Sequence, residues 1–162
     1  MVAYGDEATY ATVAAMMAAV RVGARDRAVI AMARRVGSMA HTGSPLNLAL
    51  AVQNWVMSVS RYMDDPTAED YVQPAAVSLA DFAETGFVHG DCDDLAVFGG
   101  ALGRALNLPV TITVISFAAD PWVFAHTWAS LLTPAGELVP LDVFKPAPGS
   151  VPPTARERSF IV

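Results

Sequence analysis

The amino-acid sequence predicts an α+β fold in which helices are followed by a small antiparallel sheet. Two observations predict it. Apolar residues recur at helical spacing through most of the chain up to residue 106. After Pro109 the pattern changes to runs of β-branched and aromatic residues, which favour strands. Helices that precede the strands, rather than alternate with them, are typical of α+β proteins.

Five helices are predicted, over about residues 5–22, 25–39, 44–62, 74–84 and 92–106. Asp6 favours the start of the first helix, because a carboxylate stabilises the positive end of the helix dipole. Ser44 and Pro45 begin the third, since Ser is a preferred N-cap and Pro fits the first helical position. Three glycines weaken the fifth helix by about 1 kcal/mol each relative to Ala. We therefore expect another backbone to approach that helix closely.

Three strands are predicted, over 110–117, 125–132 and 137–143, with a turn at 134–136. The length of this turn decides which side of the sheet Asp142 occupies. A two-residue turn would place Asp142 and His126 on opposite faces, whereas an odd number of turn residues would place them on the same face. Pro134 argues against the two-residue turn, but the sequence leaves both arrangements open.

Composition excludes several classes of protein. Apolar residues make up 54% of the 162 residues and charged residues 16%, which excludes a disordered chain. A single cysteine excludes an internal disulfide and a zinc site built from several thiolates. The net charge of −6, without a cluster of Lys and Arg, argues against nucleic acid as a partner. We expect no membrane span and no signal peptide, and hence a cytoplasmic or virion-associated protein.

The length predicts one domain with additions at both ends. We expect a helical N-terminal segment over 1–42, a core over 43–145 and an extended, Pro-rich tail over 146–162. The Ala- and Met-rich helices of 1–42 carry more apolar residues than so small a core needs. This segment is therefore predicted to pack against a second copy of the chain or against another partner, such as a virion component.

Cys92 is the first candidate for chemistry. It lies at a predicted loop-to-helix junction, where the positive end of the helix dipole favours the reactive thiolate. Nearby Asp91, Asp93 and Asp94 oppose this, because close negative charge raises the pKa of a thiol. A cation beside the sulfur, most simply an imidazolium, would then be needed. The competing interpretation is an inert thiol that serves as a small buried apolar group.

Two residues of the predicted strands are candidate partners for the thiol. His126 begins the second strand and shares a face with Trp128, so it is either a half-buried core residue or a general base. Asp142 lies between apolar neighbours in the third strand, where Asp is disfavoured, so we expect it to have a partner. The other histidines are expected in loops, with His41 exposed to solvent and His89 shortly before the cysteine.

These residues, in this order, resemble the transglutaminase-like superfamily of papain-related cysteine enzymes. The resemblance rests on Gly-Asp-Cys-Asp-Asp-x-Ala at 90–96, on His126-x-Trp128 and on Leu141-Asp142. It extends over about residues 55–144 and looks most like compact versions from bacteria and bacteriophages. Two features depart from the family. No Trp lies shortly before Asp142, and the residue directly after Asp142 is Val143 instead of Pro.

The resemblance implies a papain- or transglutaminase-like core with Cys92 at the N-terminus of the central helix. Cys92 would be the nucleophile, His126 its base and Asp142 the residue that orients the imidazole. The supporting residues that it implies are Asp94 at the helix start and Trp128 beneath the site. The first candidate oxyanion donor is the Cys92 backbone N–H. The second is Gln73, whose alternative interpretation is an ordinary helix-start residue.

The implied function is cysteine-dependent acyl transfer through a thioester. The substrate would be a peptide or protein amide, cleaved by a protease or amidase or transferred to an amine, without a cofactor. The alternative is a non-catalytic structural or binding module with the same fold, such as a phage virion component. A third hypothesis is a metal site, but its ligands would be crowded into six residues, which suits a helix cap better. Those ligands would be His89, Asp91, Cys92, Asp93 and Asp94.

Overall fold

The structure, a computed structural model, describes residues 4–64, 71–144 and 153–162. The helices are α1 (Tyr4–Gly23), α2 (Arg27–Gly37), α3 (Pro45–Val59), α4 (Ala75–Thr85) and α5 (Cys92–Ala105). The strands are β1 (Ser60–Tyr62), β2 (Val88–Gly90), β3 (Val110–Phe117), β4 (Asp120–Leu132), β5 (Leu138–Pro140) and β6 (Thr154–Ile161). The predicted α+β class is confirmed, because the helices precede an antiparallel sheet of order β5-β4-β3-β6.

Helix α5 is the centre of the fold. It packs against the other four helices and, on its remaining side, against β3 and β4. Every residue from Asp93 to Gly103 is buried, and Phe98 is the largest fully buried side chain among the described residues. Cys92 is the first residue of this helix, so the core of the protein fixes the position of its backbone.

The structure corrects the prediction just before the cysteine. The third helix was expected to reach Tyr62, but α3 ends at Val59 and β1 follows it. The expected loop before Cys92 contains β2, which pairs in parallel with β1 in the register Ser60↔Val88 and Tyr62↔Gly90. These strands are too short for a periodic pattern to reveal them. Their pairing ties the end of α3 to the segment that enters the central helix.

Two strands also differ from the prediction. Strand β4 begins at Asp120, not at residue 125, so His126 lies within the strand instead of at its start. The end of the expected Pro-rich tail forms β6, which pairs antiparallel with β3. The sequence of β6 is mostly charged and polar, as edge strands often are, so no apolar alternation marked it. Residues 145–152 of the expected tail lie outside the described residues.

One apolar face of each N-terminal helix lies in the core of the chain itself. The buried residues are Val13, Met16 and Val20 of α1 and Val29, Ala33 and Val36 of α2, each at most 3% exposed. Both helices pack against α5. Other apolar residues of 1–42 are exposed, among them Tyr10, Val22 and Met39, and a partner surface there stays a prediction. No helix among the described residues is long and apolar enough to cross a bilayer.

The glycines of α5 mark close contacts, as their cost to the helix predicted. The neighbours are side chains, however, not a second backbone. A Cβ added at Gly99 would lie 2.8 Å from Leu141 Cδ1, and one at Gly100 would lie 3.2 Å from Val20 Cγ2. At Gly103 the added carbon would overlap the buried side chain of Leu131. The glycines thus let the sheet pack directly onto the central helix.

Gly103→Ala is therefore expected to destabilise the protein, although Ala favours helices by about 1 kcal/mol over Gly. Overpacking against Leu131 should lower the free energy of unfolding by about 1–3 kcal/mol. Urea unfolding measures this value, with Gly43→Ala as the control, because an added Cβ there meets no atom within 4 Å. A Gly103→Ala variant as stable as the Gly43→Ala variant would refute this packing.

Candidate active site

The backbone before Cys92 is shaped by a helix cap. Asp91 is the N-cap of α5, and its side chain accepts a hydrogen bond of 3.2 Å from the Asp93 N–H. A Cβ at Gly90 would lie 2.7 Å from that of Asp94, so only glycine fits there without displacing the helix start. The Gly90 carbonyl accepts from the Met63 N–H at 2.9 Å, which ties this turn to the end of β1. Cys92 is thus presented at a rigid helix N-terminus.

The thiol of Cys92 is not activated by the helix alone. Burial, together with the charges of Asp91 and Asp93, raises its pKa to about 12. The Thr127 backbone N–H, which donates a hydrogen bond to the sulfur, acts in the opposite direction but does not outweigh burial. Without a cation beside it, the group is therefore a thiol at physiological pH. This agrees with the expectation that a cation is needed beside the sulfur.

His126 and Asp142 are in contact across the sheet. The His126 Nε2 atom lies 3.0 Å from Asp142 Oδ1, and the His126 side chain is only 8% exposed. A carboxylate can only accept, so Nε2 carries the proton and Nδ1 is left with the free lone pair. The Phe144 N–H also donates to Asp142 Oδ1, at 3.0 Å, and holds the carboxylate in place. This arrangement leaves Nδ1 as the basic nitrogen of the imidazole.

The hairpin between β4 and β5 explains this contact. The register pairs Ser130 with Pro140 and Leu132 with Leu138, which places Asp142 and His126 on the same face. The connection is a three-residue turn over 134–136, closed by the Thr133 N–H, which donates to the Glu137 carbonyl at 2.9 Å. Gly136 has a φ of +85°, the left-handed conformation that such turns require. Of the two registers open in the sequence, the structure has the odd-numbered turn.

Two aromatic rings contact the imidazole. Phe144 lies 5.1 Å from the His126 ring, and Trp128 lies 5.7 Å away on the same strand. The Phe144 ring also contacts Tyr62, at 5.6 Å. These contacts leave the His126 ring little rotational freedom, so the orientation of Nδ1 is set by packing as well as by Asp142.

Cys92, His126 and Asp142 border one narrow crevice in the structure. A much larger cavity, of about 550 Å³, opens on Cys92 and His126 from another side. The structure therefore brings together the three residues that were predicted to act together. Their roles in catalysis stay a prediction, since geometry alone does not show a reaction.

The supporting residues lie in different surroundings. Asp94 is buried, and its Oδ1 accepts from the Gln73 backbone N–H at 2.6 Å, so it ties the entry of α4 to the start of α5. The Gln73 side-chain amide donates to the Ser78 hydroxyl at 2.9 Å. Gln73 lines neither the crevice nor the cavity, and its contacts do not favour the expected role of oxyanion donor.

The remaining histidines, His41 and His89, line neither the crevice nor the cavity. His41 is exposed, as expected. His89 lies on β2 rather than in a loop, and its Nδ1 is 2.9 Å from the Asp81 carboxylate. The same carboxylate accepts from the His89 backbone N–H at 2.7 Å. This pair fixes β2 against α4 and gives His89 a structural partner.

The acidic residues at the start of α5 were one element of the metal hypothesis. Asp91, Asp93 and Asp94 each offer an oxygen atom, and these atoms lie within 4.8 Å of one another. Burial, together with its hydrogen bond and charge contact with Asp91, raises the pKa of Asp93 to about 9. A carboxyl that keeps its proton at neutral pH is a poor metal ligand. The cluster is better described as a helix cap in which the Asp93 carboxyl is hydrogen-bonded to Asp91.

Two parts of the site were missed in the sequence. Tyr62, at the end of β1, borders both the crevice and the cavity, and helix α1 forms one wall of the cavity. Burial and the nearby Cys92 raise the pKa of Tyr62 to about 12, so its hydroxyl keeps its proton. No spacing linked either element to Cys92, because tertiary packing alone brings them there.

Comparison with known proteins gives fold likenesses only. No family model matches the chain, and no curated protein matches it. One similar solved structure is a candidate cysteine protease from Cytophaga hutchinsonii, with 19% identity, a TM-score of 0.45 and coverage of 71% of this chain. The chain spans 39% of that protein's length. Another is Legionella pneumophila LapG, with 16% identity, a TM-score of 0.44 and coverage of 86% of this chain and 76% of that one.

Proposed function

We propose that the chain is a cysteine-dependent acyl-transfer enzyme with Cys92, His126 and Asp142 as its catalytic residues. The observation that carries the proposal is the 3.0 Å contact between His126 Nε2 and Asp142 Oδ1 beside a thiol at a helix N-terminus. This contact leaves Nδ1 free to accept the thiol proton. The three residue types then have the roles of a nucleophile, a base and a residue that orients the base.

The first step is attack on an amide carbonyl. His126 takes the thiol proton, and the resulting imidazolium supplies the cation that a sulfur beside Asp91 and Asp93 needs. As the Cys92 Sγ–carbon bond forms and the amide C–N bond breaks, the imidazolium proton leaves on the amine. The products of this step are a free amine and a thioester on Cys92.

The second step regenerates the thiol. Water or an amine attacks the thioester, the C–S bond breaks, and the proton of the nucleophile returns to the sulfur through His126. Water gives hydrolysis, as in a protease or amidase, and an amine gives transamidation. The substrate is a peptide or protein amide in either case, and the reaction needs no cofactor.

The negative charge that develops on the carbonyl oxygen needs hydrogen-bond donors. The Cys92 backbone N–H lies in the first turn of α5, where helical N–H groups have no partner within the helix. The same N–H forms a hydrogen bond with the Cys92 sulfur. The carbonyl oxygen of a substrate attacked by that sulfur would therefore lie within reach of this N–H. We assign this N–H as the first oxyanion donor.

Cys92→Ser is expected to abolish amide cleavage, since the Ser hydroxyl is far harder to ionise than a thiol in the same surroundings. The assay is the release of aminomethylcoumarin from a panel of peptide amides, followed by fluorescence. Ser58→Ala is the matched control, because this hydroxyl is exposed and donates only to the Trp55 carbonyl, away from the site. Cleavage by Cys92→Ser at the wild-type rate would overturn the proposal.

A second candidate function is a non-catalytic structural or binding module, such as a virion component. One observation favours it: burial raises the pKa of Cys92 to about 12, as in an inert thiol. This candidate predicts that the wild type cleaves no amide, and that Cys92→Ser leaves the structural or binding role unchanged. The same assay therefore separates the two candidates.

A further inference from the structure

The cavity beside Cys92 has two walls from distant parts of the chain. Helix α1 supplies one wall, and strands β3 and β4 supply the other. The lining residues include Ala8, Val13 and Met16 of α1 and Val114 and Phe124 of the sheet, and Tyr62, Asp91 and Asp93 line the cavity as well. Cys92 and His126 lie where the walls meet the helix start. A group bound in the cavity would therefore lie beside the reacting sulfur.

The walls are chiefly apolar. The deep part is formed by Val13, Met16 and Val114, which are at most 4% exposed. The Thr12 hydroxyl donates to the Ala8 carbonyl at 3.2 Å, so its own helix satisfies it and a ligand need not do so. None of the described residues that line the cavity is Lys or Arg. The positive charge that His126 acquires in the mechanism is paired with the sulfur, and Asp91, which also lines the cavity, disfavours an anionic group.

The mouth of the cavity is also apolar. Val123 lines it and is 48% exposed, while Phe124 beside it is half-buried. A volume of about 550 Å³ falls within the roughly 300–1,000 Å³ typical of pockets for small molecules. The cavity is thus large enough for an aromatic or branched aliphatic group together with the amide that carries it.

We propose that this cavity binds a large, uncharged, apolar group of the substrate, and that α1 determines the specificity. The inference rests on the proposed function, since it places that group next to the amide attacked by Cys92. It also gives the N-terminal helix, which lay outside the family resemblance, a part in substrate selection. Substrates with a small or anionic group in this cavity are expected to be cleaved slowly.

Alkylation of Cys92 tests the cavity without requiring turnover. N-benzyl iodoacetamide and iodoacetamide share the same reactive group and differ by one apolar ring. For Cys92 and for glutathione, the second-order labelling rate of N-benzyl iodoacetamide is divided by that of iodoacetamide. If the ring is bound, this ratio should be about ten or more times larger on Cys92 than on glutathione. Ala8→Trp, whose larger side chain occupies part of the cavity, should make the ratio on Cys92 nearly equal to that on glutathione. Ala11→Trp, an exposed alanine of α1 that does not line the cavity, should leave it unchanged.

Each outcome decides one question. A wild-type ratio close to that on glutathione, or an equal ratio in the folded Ala8→Trp and Ala11→Trp variants, would overturn the cavity proposal. The absolute rate with iodoacetamide and the amide assay test the proposed function separately. If neither reagent labels Cys92, the unreactive N-benzylacetamide replaces them. It should then raise the melting temperature of the wild type more than that of Ala8→Trp, and no such difference would overturn the proposal.

Discussion

His126→Ala is expected to lower kcat/KM for amide cleavage by about 10²–10⁴-fold, the usual contribution of a positioned general base. The loss should be this large because the thiol has no other route to ionisation at neutral pH: burial raises its pKa to about 12. Without the imidazole, neither the thiolate nor the proton for the departing amine is supplied. The amide assay with peptide aminomethylcoumarins measures the effect.

Two further variants make this result specific. His41→Ala removes an exposed histidine that lines neither the crevice nor the cavity, and it should leave the rate of amide cleavage unchanged. Asp142→Ala should cost less than His126→Ala, because the imidazole remains but loses the 3.0 Å contact that fixes its tautomer. Equal rates for wild type and His126→Ala, in a variant shown to be folded, would contradict the proposed role of the histidine.

Asp93→Asn is expected to remove a pH dependence of stability. Burial raises the pKa of Asp93 to about 9, from 3.8 in an unfolded chain, so the folded state keeps a proton that the unfolded state releases. The stabilisation is fully present below about pH 4 and is lost as the pH rises through the pKa of the folded state. Between these values the free energy of unfolding should fall by up to about 1.4 kcal/mol per pH unit from this group.

Urea unfolding at pH 5 and pH 8 measures this dependence. Asn is neutral at both values and can keep the bond in which Asp93 Oδ1 accepts from the Asp94 N–H at 3.0 Å. We therefore expect Asp93→Asn to lose less stability than wild type between pH 5 and pH 8. Glu84→Gln, on the exposed side of α4, controls for the change in net charge. An identical pH dependence in wild type and Asp93→Asn would contradict a protonated Asp93.

The elements with strong local patterns could be predicted from the sequence. Strand β3 begins and ends where its β-branched run does, and α3 begins at the Ser44-Pro45 signal. Helix α5 begins at Cys92 because Asp91 caps it, and its glycines indicated close packing. In each case the signal comes from neighbouring residues and does not depend on the rest of the chain.

The elements that depend on distant pairing could not be predicted. Strands β1 and β2 contain three residues each and exist because they pair with each other. Strand β6 is charged and polar, and only its pairing with β3 makes it a strand. The burial of α1 against α5 was missed for the same reason, because an apolar stripe does not say which surface covers it.

The candidate site lies between these cases. The order of Cys92, His126 and Asp142 was visible, but the face occupied by Asp142 depended on the turn, which the structure closes through Gly136. The role expected for Gln73 rested on position alone, and its amide instead donates to Ser78. Tyr62 and the α1 wall of the cavity come to the site through tertiary packing.

The central claim is that His126 takes the proton of Cys92, and the rate of iodoacetamide labelling at pH 7 tests it most directly. Only the thiolate reacts, so the rate reports the fraction of Cys92 that is ionised. We expect the wild-type rate to exceed that of His126→Ala at least about tenfold, because only the imidazole can take the proton of a thiol whose pKa burial raises. A rate unchanged in His126→Ala would contradict the claim.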